Sequence, residues 1–357
     1  MDTKILLIRL AKIGVSLLLV LNLVPLLTLV ERRVAAFIQG RLGPNRVGPF
    51  GLFQPIADAI KFFFKEEFIP ARADKFLYSL APMLVFLPPA LGFCVIPWGN
   101  RIGNEPLQAV NLNIGILFLM SVLSLGVYGL AFGGWASNNK YSLLGGLRAS
   151  AQLISYELTL GLSILAAIML CESVDPQVIV AKQTRGLLSW NIFGGGNLLA
   201  LPCGLLGFSL FYVAALAENN RLPFDLAECE AELVGGYHTE YSSMKFALFF
   251  MGEYVAMILM SALATTLWLG GWYFPGITNP NDHSWTGGLL SVAVFMTKTM
   301  LILFLYIWIR WTLPRFKYNQ LMNLGWKGLL PLSLANVGLL ALAGVFADRV
   351  PFLTVVR

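Results

Sequence analysis

Eight apolar runs set the terms for this chain. They lie at roughly 10–30, 76–98, 112–133, 151–172, 198–217, 244–273, 288–312 and 328–347. Each is long enough to cross a bilayer, which takes about 20 residues of helix. Composition points the same way. Of 357 residues, 57% are hydrophobic and 12% charged, and the mean hydropathy is +0.72. A soluble domain carries about 25% charged residues, so a chain this apolar could not cover its own surface in water. The expected fold is all-α and integral to the membrane, with about eight transmembrane helices in one transmembrane domain over 1–357. The first run is unlike a cleaved signal peptide, being long and followed by no A-x-A site. No internal repeat is evident, since the hydrophilic loops differ in length and content.

Eight spans put both termini on one side. The 25 Lys and Arg residues then divide unevenly: 16 lie in the loops after spans 1, 3, 5 and 7, 8 on the opposite face, and Lys298 inside span 7. Basic residues favour the cytoplasmic side. That excess predicts a cytoplasmic loop after span 1 and termini on the outside, although Lys4, Arg9 and Lys12 pull the other way.

Little in the sequence suggests a cofactor of its own. Cys94, Cys171, Cys203 and Cys229 form no CxxC pair, and the two histidines, His238 and His283, both fall in loops. A zinc or haem site built by this chain alone is not expected, and the cysteines read as small hydrophobes. No Gly-rich phosphate loop follows a strand-like segment, so nucleotide binding is not expected. The net charge of +6 reports topology rather than nucleic-acid binding.

The loop after span 1 opens at Glu31-Arg32-Arg33, where the first apolar run stops. Gly and Pro crowd the stretch from Gln39 to Pro49, which reads as an ordered turn. From Phe50 to Glu67 helical periodicity returns. Gln54, Asp58, Lys61 and Lys65 share one face, the remainder is largely Phe, Ile and Ala, and Pro55 sits near the start, where its missing N–H does little harm. Such an amphipathic helix lies in the interface plane. It suits plain lipid and the wall of an apolar ligand site equally well.

A second loop is acidic. Between Glu218 and Glu240 there are six acids and one strong base, Arg221. If Asp225 to Glu232 is helical, Asp225, Glu228 and Glu232 share a face, with Glu228 and Glu232 a like-charge i,i+4 pair. The acids are interleaved with Leu222, Phe224, Leu226 and Leu233, which suggests packing rather than free solvation. Carboxylates in mutual contact and partly buried have raised, coupled pKa values and exchange protons near neutrality.

Three ionisable groups fall inside the spans: Glu157, Glu253 and Lys298. A charge at the bilayer centre costs at least about 2.5–3.5 kcal/mol on insertion scales, which makes each a functional candidate. At about 1.5 Å per helical residue, Glu157 and Glu253 lie roughly 10 and 14 Å below the surface that bears Glu31, Asp58, Glu218 and the 225–232 cluster. The acids therefore descend from one face toward the middle. Lys298 has two readings: a relay group near the midplane, or a side chain that snorkels or pairs with a neighbouring span.

Four stretches also carry a family likeness. They are Glu31-Arg32-Arg33 with Gly43-Pro44-Asn45-Arg46-Val47-Gly48-Pro49; Gln54-Pro55-Ile56-Ala57-Asp58 through Lys65-Glu66; Gly145-Gly146-Leu147-Arg148-Ala149 with Ser155-Tyr156-Glu157; and Ala217-Glu218-Asn219-Asn220-Arg221-Leu222-Pro223-Phe224-Asp225-Leu226-Ala227-Glu228. Glu240-Tyr241, Glu253-Tyr254 and Pro314-Arg315-Phe316 add to them. Over nearly its whole length the chain resembles the H-subunit family of bacterial NADH:quinone oxidoreductase, equivalent to subunit 1 of mitochondrial complex I. Asn219 and Cys229 depart from the family's usual residues without removing an ionisable group.

The resemblance implies a quinone tunnel in the 31–75 loop, with Glu31, Arg32, Gly43, Arg46, Phe53, Asp58, Lys61 and Phe224 as its residues. It implies a proton or charge relay through Glu157, Glu218, Asp225, Glu228, Glu230, Glu232 and Glu253, with the acidic loop at 218–243. It further implies quinone as substrate, FMN and iron–sulfur clusters in partner subunits, and partners among the hydrophilic-arm quinone-site subunits and the antiporter-like membrane subunits, in contact with membrane lipid in the bacterial inner membrane. A homologous subunit of a membrane-bound hydrogenase or of a dehydrogenase with another donor stays open on sequence. A cation/proton antiporter-like transporter is less well supported, because the Pro/Gly breaks concentrate in the loop rather than in mid-membrane.

Overall fold

The computed structural model describes residues 3–103, 105–227 and 230–349. Among these, eight helices are long and apolar enough to cross a membrane, so the chain is an all-α, multi-pass membrane protein. In chain order the helices are α1 (Thr3–Ile38), the amphipathic α2 (Gln54–Phe64), α3 (Lys75–Gly92), α4 (Gly115–Leu123), α5 (Leu125–Ala136), α6 (Lys140–Cys171), α7 (Pro176–Lys182), α8 (Leu201–Glu218), the single turn α9 (Glu230–Leu233), α10 (Ser243–Trp268), α11 (Trp285–Thr312), α12 (Tyr318–Asn323) and α13 (Leu330–Arg349). A short hairpin, β1 (Arg101–Ile102) with β2 (Glu105–Pro106), sits between α3 and α4.

Several spans are composite. α4 and α5 form one crossing interrupted at Ser124, and α12 and α13 are joined by a π-helical stretch at Leu324–Leu329. The connections after the odd-numbered spans gather at one end of the bundle, here termed the loop face. There Asp74 N–H meets Ala136 O, the Tyr78 hydroxyl donates to Glu240 O, and the Ser243 hydroxyl donates to Lys65 O.

The first apolar run ends near Val30, but the helix does not. α1 continues unbroken through Glu31-Arg32-Arg33 to Ile38, correcting the sequence-based boundary. Glu and Arg are good helix formers; what stops α1 is Gly40 in the left-handed region (φ 66°). Gly40 N–H returns to Phe37 O and Arg41 N–H to Ala36 O, the paired bonds of a Schellman end. With 36 residues, α1 is about 54 Å long, well beyond the roughly 30 Å of hydrocarbon, so it tilts or projects. Its last two turns carry Glu31 into the protein, where it is only 5% exposed.

The turn after α1 is ordered by close contacts. A Cβ on Gly51 (φ 73°) would lie 2.2 Å from Pro44 O, and Arg33 donates to Phe50 O. This holds α2 beside α1 and the start of α10, with Phe62 6.1 Å from Phe246.

α10 is the axis of the bundle and the most enclosed span. Its neighbours approach through small residues, which is how membrane helices pack when burial in water gives no driving force. A Cβ on Gly252 would lie 2.9 Å from the Val85 side chain of α3; between α5 and α6, likewise, one on Gly134 would lie 2.6 Å from Ser142 O.

Candidate functional site

Two adjoining cavities flank α1 near the loop face. The first, of about 360 Å3, is almost wholly apolar and lies between α1, α2 and the start of α10, with Leu21, Pro25, Phe62, Phe246 and Phe250 in its wall. Leu21 is ten residues before Glu31, so the cavity reaches about 15 Å down along α1 into the apolar part of the span. Its polar edge is the Arg32–Asp58 ion pair at 2.7 Å, with Gln54 also donating to Asp58.

The second cavity, about 520 Å3, is polar. Glu31, Arg32, Arg41, Gly43, Tyr254 and Arg310 line it, and it shares Thr28, Arg32 and Phe250 with the first. Glu31 is its buried anion. Arg310 of α11 pairs with one carboxylate oxygen, and the Tyr254 hydroxyl donates to the other at 2.6 Å.

From Glu31 a chain of side chains leads inward. Beyond the Tyr254 hydroxyl, the Arg221 guanidinium lies over the Tyr254 ring, 4.3 Å from its centroid. Arg221 in turn faces Glu253 at 3.8 Å, both side chains being over nine-tenths buried. Tyr237 donates to the other oxygen of Glu253 at 2.7 Å. Glu253 is ten residues into α10, about 15 Å from its start. It borders a small internal cavity of about 60 Å3 that also meets Glu218, Asn219 and Asn220. Two buried oxygens at this cavity, Glu218 Oε2 and Asn219 Oδ1, have no hydrogen-bond partner among the described residues. Glu157, bonded by Ser124 at the break between α4 and α5, lies within Coulombic range of Glu218. The break has a use: it delivers the Ser124 hydroxyl to an intramembrane carboxylate.

The condition for a shared acidic face, a helix over 225–232, is not met, since 225–227 is not helical. Among the described residues of that stretch only those from Glu230 onward are helical, and the chain up to Ala227 is irregular, with a cis Leu222–Pro223 bond and Asn220 at positive φ. The described acids of this loop go to separate partners. Asp225 pairs with Arg315 at 3.0 Å, Glu232 with Arg148 at 2.7 Å, and Glu240 accepts from Asn139 at 2.6 Å. Arginines brought in from α6 and from the connection after α11 separate carboxylates that their closeness in sequence would bring together. Glu228 and the side chain of Glu230 lie outside the described residues.

Of the residues expected to line a tunnel, Glu31, Arg32, Gly43 and Asp58 border the two cavities. Arg46, Phe53, Lys61 and Phe224 do not: Arg46 and Lys61 face outward, Phe53 packs into the bend at Gly48, and Phe224 is buried between Tyr156 (5.6 Å) and Phe316 (5.5 Å). Of the relay residues, Glu157, Glu218 and Glu253 come together; Asp225 and Glu232 sit apart in their own ion pairs. Tyr254, Arg310, Tyr237 and Ser124 are site residues that sequence reasoning misses. Tyr254 stands out there only as the neighbour of Glu253, and Arg310 only as a topology charge.

Lys298 joins neither cavity. Its ammonium donates to the carbonyls of Leu269 (2.6 Å), Gly271 (3.0 Å) and Tyr273 (2.6 Å), and lies over the Trp190 ring at 4.2 Å. It caps the carbonyl-rich end of α10, where a cation is favoured. Lys298→Met should therefore destabilise the fold by at least about 3 kcal/mol, since three bonds from a charged donor are lost and each is worth about 1.5–3 kcal/mol. Quinone-dependent turnover should stay near its original level, and thermal unfolding together with activity would check both halves. Among the described residues, no group of three or more His, Cys, Asp or Glu is placed to hold a metal ion.

A family model described as NADH dehydrogenase matches residues 11–341. The chain is 49% identical over 314 residues to the first NADH-quinone oxidoreductase H subunit of Cytophaga hutchinsonii, covering 87% of this chain and 89% of that one. It is 47% identical over 353 residues to the second H subunit of Koribacter versatilis, covering 94% and 97%. The chain belongs to the H-subunit family of NADH-quinone oxidoreductase. It is thus a membrane subunit of a complex I-type oxidoreductase, with the other subunits of that complex as its partners. NADH-quinone oxidoreductase subunit 8 of Rhodothermus marinus is 47% identical over 324 residues, 87% of this chain and 90% of that one. In this member of the family, then, one buried carboxylate, Glu31, lies at the cavities on α1, and Tyr254 and Arg221 connect it to a second, Glu253.

Proposed function

We propose that this subunit admits quinone sideways from the bilayer into the apolar cavity, passes its headgroup to the polar cavity, and couples its reduction to proton translocation through Glu31, Tyr254, Arg221, Glu253, Glu218 and Glu157. The observation that carries this reading is the continuity of the parts. An apolar cavity reaching down a membrane helix adjoins a polar one, and from there hydrogen-bonded, ion-paired and π-stacked side chains run to an internal acid cluster.

Each part has a physical role. Phenylalanines accommodate an isoprenoid tail without polar cost, while Arg32 and Asp58 offer a donor and an acceptor at the mouth. A change in charge at the polar cavity acts first on Glu31, whose two oxygens are held by Arg310 and Tyr254. Because Arg221 both stacks on Tyr254 and faces Glu253, a shift in one contact alters the field at the other. The 60 Å3 cavity beside Glu253 and Glu218 has room for water. Electrons come from FMN and iron–sulfur clusters held by partner subunits of the hydrophilic arm. The antiporter-like membrane subunits receive the proton signal.

The chain works as one transmembrane domain, with the tunnel loop at 31–75 and the acidic loop at 218–243. Its loop face is cytoplasmic and both termini periplasmic, as the 16-to-8 excess of Lys and Arg supports. The complex sits in the bacterial inner membrane.

A photoreactive quinone analogue carried by the purified complex should label α1, α2 or the start of α10. Labelling that avoids 31–75 altogether would contradict the tunnel. Asp58→Asn removes an exposed ion pair worth less than about 1 kcal/mol, so stability should barely change. The apparent KM for quinone should rise several-fold with kcat nearly intact, because the change lies at the entrance.

A further inference from the structure

One wall of the apolar cavity beside α1 is weakly built. No residue of α2 is buried, although Pro55, Asp58, Ala59, Phe62 and Phe63 face the cavity. A helix with so little buried surface is held loosely by packing alone, so its place depends on tethers. The turn at 44–51 and the Arg32–Asp58 pair hold its first half.

Its far end is held from the start of α10, 181 positions along the chain. α2 closes at Phe64, and the last carbonyls of a helix have no partner inside it. The Ser243 hydroxyl reaches two carbonyls at this end, Phe62 O and Lys65 O, both at 2.9 Å. Beside it, the Ser242 hydroxyl accepts from Phe68 N–H at 3.2 Å, and Lys245 pairs with Glu67 at 2.7 Å.

Both serines do this at the expense of their own helix. Ser242 is the N-cap of α10, where a serine hydroxyl normally bonds a free N–H of the first turn, yet it makes no such bond. Ser243 sits at φ 54°, in the left-handed region that favours glycine. A forgone cap and a strained backbone in adjacent residues bring α10 nothing in return. What they secure is the end of α2. Strain of this kind persists where surrounding structure enforces it, and it gathers at functional sites.

We propose that Ser242 and Ser243 are positioning residues for quinone entry. They fix the far end of α2, and with it the width of the apolar cavity and its grip on a quinone tail. Neither serine lines that cavity; both act through the α2 side chains that do. The proposal rests on the reading of this cavity as the quinone entrance.

Two variants of the intact complex test it. Ser243→Gly removes the hydroxyl and relieves the strain together, so thermal unfolding should stay close to wild type. Ser243→Ala removes the hydroxyl and keeps the strain, so it should melt lower. In both, amide hydrogen exchange should quicken over 54–68 and stay unchanged in the other spans. The apparent KM for a long-tailed quinone should rise several-fold in both variants, and that for a short-tailed, water-soluble analogue less than twofold. The kcat and transfer from NADH to an artificial acceptor should hold. A merely structural serine would show its effect in the melting of Ser243→Ala and produce no such split in KM. Unchanged exchange over 54–68 in both variants overturns the clamp, whatever path quinone takes. Faster exchange with an unchanged KM overturns its role in entry, provided that a photoreactive quinone analogue labels 31–75 in wild type. Absence of that label overturns the entrance reading itself, and this proposal with it.

Discussion

Glu253→Gln is expected to leave the complex assembled while proton translocation per NADH oxidised by quinone falls tenfold or more. A tenfold loss corresponds to about 1.4 kcal/mol, far less than the electrostatic change at this position can supply. Glu253 is 8% exposed, and its two oxygens face Tyr237 at 2.7 Å and Arg221 at 3.8 Å. Glutamine keeps the shape and still accepts from Tyr237, but it can neither take up nor release a proton. It also withdraws a negative charge from beside a buried guanidinium, and breaking a buried pair from one side costs about 3–5 kcal/mol. The variant should therefore melt at a lower temperature than wild type.

Two further measurements separate coupling from simple damage. Electron transfer from NADH to a water-soluble artificial acceptor, which bypasses the quinone cavity, should stay at wild-type level. Replacing both partners, Glu253→Gln with Arg221→Gln, should recover part of the lost stability, because the charge that Glu253 faces is removed together with it. It should not recover pumping. Pumping at the wild-type stoichiometry in Glu253→Gln would remove Glu253 from the relay.

The spans are legible because the bilayer imposes a length and a composition that a linear sequence displays directly. The acid descent is legible too, since a charge in an apolar run stands out. Contacts made across the chain are not. Glu31 meets Arg310 over 279 positions, Asp225 meets Arg315 over 90, and Glu232 meets Arg148 over 84. Nothing local to any of these residues signals its partner. The misplaced end of α1 has a different cause. Hydropathy falls at Glu31, but backbone geometry ends the helix at Gly40, so the segment that reads as loop is two further turns of helix pointing charge into the protein. Likewise, the acids of the 218–240 loop read as one cluster only if helical spacing holds there. Irregular backbone and incoming arginines disperse those that the structure describes.

Thr28→Trp should close the passage between the two cavities on α1. Thr28 is one of three residues lining both, and its hydroxyl is spent on Pro25 O at 2.8 Å, one turn earlier in the same helix. An indole at this position projects toward cavities of about 360 and 520 Å3 rather than into packed side chains. The cost to the fold should accordingly stay at or below the lower end of the roughly 1–3 kcal/mol that overpacking a filled core incurs. The effect on function should be much larger. A long-tailed quinone must draw its tail through the apolar cavity while its headgroup reaches Glu31, so blocking the junction should cut its turnover at least tenfold. A short-tailed, water-soluble analogue that can enter from the loop face should lose less, and transfer from NADH to an artificial acceptor should lose nothing. Thr28→Ala, which widens the same junction, should leave all three rates close to wild type. If Thr28→Trp reduces the long- and short-tailed quinones equally, or neither, the two cavities are not successive parts of one quinone path.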